Sequence, residues 1–310
     1  MNVSATNIGG VVVTYFPSID FGQRLAAIAR EVGPLIVVDN SGVSLVQDGL
    51  RALCAAVGCE LILNPENLGL AAALNQAFRR HAETGLAWVI AFDQDSTPEK
   101  GSAAALLAAA TTGLTPGRRP AAVIGSNWHD EARPGSSARY LQAKGLWFTR
   151  RPATEDLVDV TCVITSGTLF HLPPWRALSG FDETLFLDLV DTDYCLRLQA
   201  AGHRIAVATA ARLAHRRGAK RAMRGLGRIW WPAFMPPVRL HYLSRNRVRL
   251  FRRHAARFPH WMAFELAYAA KIIAEILFLE DNKIAKLAAI ARGTWHGLLG
   301  RGGRWPNPPT

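Results

Sequence analysis

Two clusters of carboxylates are the residues of this chain whose types and spacing suit chemistry. The first is FDQDS, Phe92 to Ser96, at the end of the apolar run AWVIAFDQD. Side chains alternate along a strand, so Asp93 and Asp95 project to one side. Where the strand ends, both can face a hard divalent cation that bridges a diphosphate. Two acids that merely cap the chain ahead of Pro98 would leave the same string, and position separates the readings, because the pair closes the fourth of a series of strand-like runs. The second cluster is FDETLFLDLVDTDYCLR, with Asp182, Asp188, Asp191 and Asp193 before and into a helix. The helix macrodipole favours acids at that end, so some are caps. Crowding of like charges also raises a carboxyl pKa toward the working range of a general base. Spacing does not say which of the four would act.

Two familiar phosphate devices are missing. No G-x-G-x-x-G follows the opening strand and no G-x-x-x-x-G-K-[ST] occurs anywhere, which removes the dinucleotide-binding and P-loop classes. A phosphate held by this chain must be neutralised otherwise, and a divalent metal on carboxylates is the natural substitute.

The elements that must position these acids are legible from periodicity. Apolar runs over 10–16, 34–40, 59–64 and 87–95 alternate with helical patterns over 21–32, 43–57 and 68–81. That alternation predicts a mostly parallel sheet flanked by helices. Ligands bind at the carboxyl edge of such a sheet, so Asp39, the stretch Asn64 to Asn67 and Asp93 to Asp95 are expected around one cleft. From Ala121 to Leu172 shorter runs (AAVIGSN, KGLWFTR, VDVTCVITSGTLFHL) suggest a mixed part. A helix over 189–201, stopped by Gly202, and two short strands, RIAVA and ARLAH, lead to His215. By itself His215, beside Arg216 and Arg217, reads as a surface residue.

Composition sets the frame. The 310 residues are 49% hydrophobic and 19% charged, with a mean hydropathy of +0.08, enough for one large domain or one and a half. The net charge of +12 is unevenly spread. Residues 1–202 hold 15 Lys and Arg against 20 Asp and Glu, a net −5, whereas the last 108 hold 21 against 4, a net +17. Cys54, Cys59, Cys162 and Cys195 lack metal or disulfide spacing and read as free thiols. The opening MNVSATNIGG has no signal-peptide pattern, which predicts a cytoplasmic protein. The most apolar stretch, Trp261 to Leu279, contains Glu265, Lys271 and Glu275 and so is not expected to span a bilayer.

The basic end interleaves aromatic residues and arginines from Arg216 through IWWPAFMPP to RLHYLSRNRVRLFRRHAARFPHWM. Such a pattern suits an anionic bilayer interface. A nucleic-acid patch and a solvated basic face are the competing readings of that composition. Helices are predicted over 238–256, 259–279 and 283–299.

The ordered set VVVTYF, VVDNSG, NPENLGLAAALNQA, FDQDS, ITSGTLF, FLDLVDTDYCLR and a later His resembles the family 2 glycosyltransferases of GT-A fold. More narrowly it resembles bacterial rhamnosyltransferases, in which FDQDS and a YLSRN-type segment recur; the likeness covers about 8–255. It implies a GT-A (nucleotide-diphospho-sugar transferase) fold and inverting transfer from a nucleotide sugar. By the same resemblance, Thr14 and Tyr15 lie at the nucleotide-base pocket, and Asp39 accepts the N3–H of uracil or thymine. Asn67, Gly69 and Asn75 match the donor-side loop and helix. Asp93 and Asp95 match the D-x-D pair on a divalent metal, Mg2+ or Mn2+, with His215 as a further ligand. Asp191 takes the place of the general base, with Asp193 in support. Ser166 and Gly167 match the loop below the acceptor, and Trp147 is a sugar-stacking candidate. One departure is that Val190 precedes Asp191 where many relatives carry Glu, which removes a carboxylate that could tune the base.

The expectation is therefore a catalytic domain over 1–222 and a basic, aromatic-rich, membrane-associating helical region over 223–310. The activity expected is transfer of L-rhamnose from dTDP-L-rhamnose to a cell-surface polysaccharide of O-antigen or capsule type, or to its lipid-linked precursor. UDP-galactofuranose or a UDP-hexose is the alternative donor, and a basic nucleic-acid-binding protein is the non-enzyme alternative. The partners expected are donor, glycan or lipid-linked acceptor and an anionic membrane surface on the inner face of the cell membrane, without nucleic acid. A homo-oligomer is compatible with the chain.

Overall fold

The computed structural model describes residues 7–112, 120–133, 136–216, 223–225, 228–232 and 234–306. The chain divides into two units: Met1–Gln142 with Arg150–Glu183 and Val190–Arg216, and Ala143–Thr149 with Thr184–Leu189 and Arg217–Thr310. The expected boundary after Ala222 borders 217–222, which lie outside the described residues, as does much of the basic run that begins at Arg216.

The first unit is an alternating α/β structure. Strand β1 (Ile8–Thr14) is followed by α1 (Phe21–Ala29), β2 (Leu35–Asp39), α2 (Ser44–Val57), β3 (Glu60–Leu63), α3 (Leu70–Glu83) and β4 (Trp88–Asp93). β1, β2 and β4 are continuous apolar runs because helices cover both faces of a parallel sheet. Then come β5 (Ser96–Pro98), α4 (Ser102–Thr112), β6 (Ala121–Asp130), β7 (Tyr140–Lys144) and β8 (Trp147–Arg151), of which Ala143–Thr149 belongs to the second unit, β9 (Leu157–Asp159) and β10 (Thr168–His171). The unit closes with α5 (Leu172–Ala177), α6 (Val190–Ala200) and β11 (Arg204–His215). The sheet order is β3-β2-β1-β4-β10-β6-β11-β5, with β9 on β11 and with β7 and β8 as a separate ribbon. β1 runs parallel to β2 and β4, and β11 parallel to β6, while β10 runs antiparallel to both of its neighbours.

The predicted parallel sheet and the three helices that follow its first strands are present. Two expectations are corrected. RIAVA and ARLAH are one strand, β11, whose register against β6 shifts between Ala208 and Arg212, an irregularity that bends a continuous strand. The short β5, directly after Asp95, has no counterpart in the sequence pattern; it exists because its three residues pair with the end of β11.

The core of this unit joins Val12, Val37, Ile90, Ile124 and Leu169 of the sheet to Phe21, Leu25 and Ile28 of α1, Leu50 of α2 and Leu106 of α4. Phe78 of α3 forms a second centre with Phe170, Trp175 and Phe181. Cys54 and Cys195 are buried and Cys59 and Cys162 half-buried, and none of the four is in a disulfide.

In the second unit β12 (Met223–Gly225) and β13 (Arg228–Trp230) form a hairpin ahead of α7 (Pro237–His254), α8 (Pro259–Leu279) and α9 (Lys283–Leu298). Leu240 and Leu243 of α7, Ile272 and Ile276 of α8 and Ala289 of α9 make its core. The YLSRN segment lies on α7 and faces inward. Arg245 is only 2% exposed and Asn246 is fully buried. Arg247 is paired with Glu265 at 3.0 Å. These arginines of the interleaved segment are thus interior, with charges spent on backbone carbonyls and a buried carboxylate. Among the described residues no helix is long and apolar enough to cross a membrane.

Candidate active site

The site begins where β4 ends. Asp93 is the last residue of that strand, the chain turns at Gln94 and Asp95, and β5 then lies antiparallel to β11 with Ser96 opposite His215. That register sets an imidazole beside two carboxylates. His215 Nε2 is 3.9 Å from Asp93 Oδ2, and Nδ1 is 3.5 Å from Asp95 Oδ1. One ligand atom from each of the three residues falls within 4.8 Å of the others.

A hydroxyl chain orients this triad. The Asp93 N–H donates to Ser166 Oγ at 3.0 Å, Ser166 and Ser96 hydroxyls are bonded at 2.6 Å, and Ser96 Oγ meets His215 Nδ1 at 2.6 Å. All of Ser96 is buried and Ser166 nearly so. Ser96 engages Nδ1 and so fixes the orientation of the imidazole, as partners do for a metal-binding histidine. The edge of Trp128 packs on the ring, centroids 6.3 Å apart. Behind Asp95 the Arg24 guanidinium bonds the Asp95 carbonyl (3.3 Å), Thr97 Oγ1 (3.0 Å) and both oxygens of Glu131 (3.1 Å each). The Arg216 N–H also donates to the Asp95 carbonyl at 3.0 Å.

Burial holds the Asp95 carboxyl above its ordinary range, although its own backbone N–H and the charges of Arg24 and Arg216 pull the other way. A carboxylate that water solvates poorly gains most from a cation placed against it. Two carboxylate oxygens and an imidazole nitrogen form a donor set that suits Mg2+ or Mn2+, the nitrogen weighing toward the softer ion. The residues fit the group.

The donor-side residues are bound largely to one another. Asp39 is fully buried. It accepts hydrogen bonds from Thr14 Oγ1 (2.9 Å), Ser41 Oγ (2.8 Å) and Ser41 N–H (3.1 Å). In this state it ties the ends of β1 and β2 together and presents no surface to a base. Tyr15 is exposed, and the Gln94 side-chain amide pairs with its backbone, accepting from N–H at 2.8 Å and donating to C=O at 3.2 Å. Asn67 Oδ1 accepts the Gly69 N–H at 2.9 Å, shaping the turn into α3. Gly69 sits at φ 89°, which a side chain would strain. Its carbonyl accepts from Asn40 Nδ2 at 3.1 Å, and Asn40 is joined to Asn64 and Gln76 in an amide network.

Other predicted residues turn inward. Asn75 donates to Phe181 C=O and Glu183 Oε1 and accepts the Phe181 N–H, each at 2.9 Å. Both amide protons are used, so Asn75 braces the 181–183 turn instead of facing a ligand. Gly167, at φ 66°, would set a Cβ 2.6 Å from Leu213, and its carbonyl accepts from Ser126 Oγ. Ser166 and Gly167 thus belong to the floor under Asp93. Asp191 stands half-buried in the first turn of α6, its Oδ1 accepting the Thr192 N–H at 2.7 Å. Asp193, one helical step on, is fully buried and paired with Arg197 at 2.7 Å, and Arg197 also bonds the carbonyls of Leu178 and Gly180. That ion pair sets the start of α6. Trp147 belongs to the second unit, where it is exposed and stacks on Phe148.

Sequence reasoning missed Ser96, Gln94, Arg24, Glu131 and Trp128. Ser96 and Gln94 lie inside the FDQDS string. Arg24 and Glu131 carry no local signal, since their roles arise from contacts more than seventy residues apart.

A mostly parallel sheet with an antiparallel β10, and a D-x-D pair at the carboxyl end of β4, are the arrangement of the GT-A fold. Solved structures agree at the level of fold. The mannosyltransferase PcManGT of Pyrobaculum calidifontis, in complex with GDP-Man and Mn2+, superposes with a TM-score of 0.57 at 16% identity, over 95% of this chain and 87% of that one. TarS 1-349 of S. aureus in complex with UDP-GlcNAc does so with a TM-score of 0.50 at 13% identity, over 92% and 80%. The glycosyl transferase family 2 profile matches residues 34–160, so that segment is similar to family 2 glycosyltransferases, and with the fold it supports a glycosyltransferase. The chain is 27% identical over 318 aligned residues to dTDP-rhamnosyl transferase RfbF of Shigella flexneri, covering 97% of this chain and 99% of that protein.

Proposed function

We propose that this chain transfers L-rhamnose from dTDP-L-rhamnose, with inversion, to a hydroxyl of a cell-surface glycan or of its lipid-linked precursor. The observation that carries the proposal is the convergence of Asp93, Asp95 and His215 at the carboxyl edge of the sheet. The choice of donor rests on likeness to the Shigella flexneri protein. We take residues 1–222 as the catalytic domain and 223–310 as a region that works on the cytoplasmic face of an anionic membrane.

Asp93, Asp95 and His215 would hold Mg2+ or Mn2+, which when bound supplies positive charge against the donor diphosphate. Ser96 holds the His215 ring at Nδ1, with that edge beside Asp95 and Nε2 toward Asp93. Tyr15, exposed and fixed through its backbone by Gln94, would stack on the base. Reading of the base by Asp39 would use the acceptor site that Thr14 and Ser41 leave on its carboxylate, once the ends of β1 and β2 part enough to expose it. Asp191 receives the acceptor hydroxyl proton as that oxygen attacks the anomeric carbon. The bond from that carbon to the diphosphate breaks on the opposite face, and the electron pair leaves with the nucleotide. Asp193, already committed to Arg197, keeps the helix that carries the base in place.

Replacing Asp191 with Asn tests the proposal. Transfer should fall by about 10²–10⁴-fold, while dTDP-rhamnose still raises the melting temperature in the presence of Mn2+. Unchanged turnover removes Asp191 from the base role. A melting-temperature panel of dTDP-rhamnose, UDP-galactose and UDP-galactofuranose identifies the donor, and a shift confined to a UDP-sugar overturns rhamnose.

A further inference from the structure

The outer faces of the last two helices are apolar. On α9, Ile284, Ala288, Ala291, Trp295 and Leu298 recur at steps of four and three and are all exposed. On α8, Leu266, Ala270, Ile273 and Leu277 repeat that spacing, and they too are exposed. Ile284 is 87% exposed and Phe278 80%, on either side of the turn that joins the helices. These are not core residues seen from outside. Each helix has a separate inward face, Ile272 and Ile276 on α8 and Ala289 on α9, that fills the core of the unit. A helix that packs on one side and meets water on the other carries polar residues outward. Here that stripe is apolar twice, on adjacent helices, and such patches mark a surface that something else covers.

Charge identifies the covering partner. Around these stripes the exposed cations are Lys271, Lys283, Arg292, Arg301 and Arg304, against one exposed acid, Asp281. The other acids of this region turn inward: Glu265 pairs with Arg247 and Glu280 with Lys286. Glu275 is held by Lys271 at the flank of α8. A second copy seated on the same face would bring like charges together. An anionic lipid surface meets them with opposite charge and accepts the apolar side chains below its headgroups. Neither helix is long and apolar enough to cross the bilayer, so the fitting geometry is in its plane.

We propose that the α8–α9 hairpin is the membrane-docking surface of this protein. Ile284, Trp295, Leu298, Leu277 and Phe278 enter the interface of an anionic bilayer, and Lys283, Arg292 and Arg301 sit among its headgroups. This deepens the reading above and rests on it for the biological sense of the contact, an acceptor carried on a membrane. It moves the contact away from the arginine-rich α7, whose Arg245 and Arg247 are buried, to helices with fewer charges.

The test is flotation of the full chain with vesicles of about equal phosphatidylglycerol and phosphatidylcholine, and with phosphatidylcholine alone. Wild type should float with the anionic vesicles and lose most of that binding in high salt. Ile284→Glu with Trp295→Glu, both at exposed positions, should weaken it at least tenfold without lowering the melting temperature. Lys283→Gln and Arg301→Gln should each cost about fivefold. Wild type that stays unbound, or a double variant that floats as wild type does, overturns the proposal. So does a double variant whose only change is from dimer to monomer by light scattering, which assigns the face to a second copy. Donor turnover on a soluble acceptor is measured alongside: if wild type fails there but floats, the transferase reading fails and the surface stands. If it turns over but does not float, the surface alone fails.

Discussion

Ser96 is the residue on which the geometry of the metal site should depend most without touching the ion. Its side chain is fully buried, and it stands 2.6 Å from His215 Nδ1 and 2.6 Å from Ser166 Oγ. Ser96→Ala keeps the backbone pairing of β5 with β11 and removes only the hydroxyl. Two neutral hydrogen bonds are lost, about 1 kcal/mol each, which a domain of this size survives. The His215 ring then loses the partner that fixes its orientation. Changes of this kind lower metal affinity by about 10–100-fold, or about 1.4–2.7 kcal/mol. The measurement is a calorimetric titration of Mn2+ into the purified chain with dTDP present, alongside far-ultraviolet circular dichroism. Ser166→Ala is no graded control, since it also takes the acceptor from the Asp93 N–H. The reasoning is refuted if Ser96→Ala, folded, binds Mn2+ within twofold of wild type.

Three further outcomes follow from the packing. Burial and the nearby charges of Arg245, His296 and Arg292 push the His241 imidazole down to about 4. The unfolded chain therefore takes up this proton first as pH falls. Stability should be intact above the ordinary histidine value of about 6.5 and decline as pH falls from there to the folded value of about 4; melting curves across that window should flatten in His241→Gln. Arg197→Ala strands the buried Asp193 carboxylate and should cost about 3–5 kcal/mol in urea denaturation, whereas a loss below about 1 kcal/mol means that Asp193 finds another partner. Asn246 donates to the carbonyls of Leu185, Leu187 and Asp188 in a segment where Phe186, Asp188 and Leu189 have positive φ. Asn246→Ala should destabilise the second unit by about 1–3 kcal/mol and speed amide hydrogen exchange across 184–189; unchanged exchange there would show that Arg245 alone holds the segment.

The amino-acid sequence by itself determined the alternating α/β order, the placement of Asp93 and Asp95 at the end of the fourth strand run, the three C-terminal helices and the helix that carries Asp191. Each of these rests on short-range periodicity, and that physics is local. Three things were decided only by tertiary structure. The order of motifs named His215 only by resemblance; what sets it beside the D-x-D pair is the register of β5 on β11, which no local pattern around residue 215 encodes. Asp39 and Asn75 look like ligand contacts in the string, and only the fold shows that Asp39 is buried against Thr14 and Ser41 and that Asn75 is bonded to the 181–183 turn. A polar residue is open to a ligand only after the fold has left it unsatisfied. The basic tail is the third case. Composition located the charge but not its side: arginines of YLSRNR went inside to hold backbone carbonyls and Glu265, and the exposed apolar stripes fell on α8 and α9. Periodicity shows that a helix has an apolar face, and only packing shows which face is left uncovered.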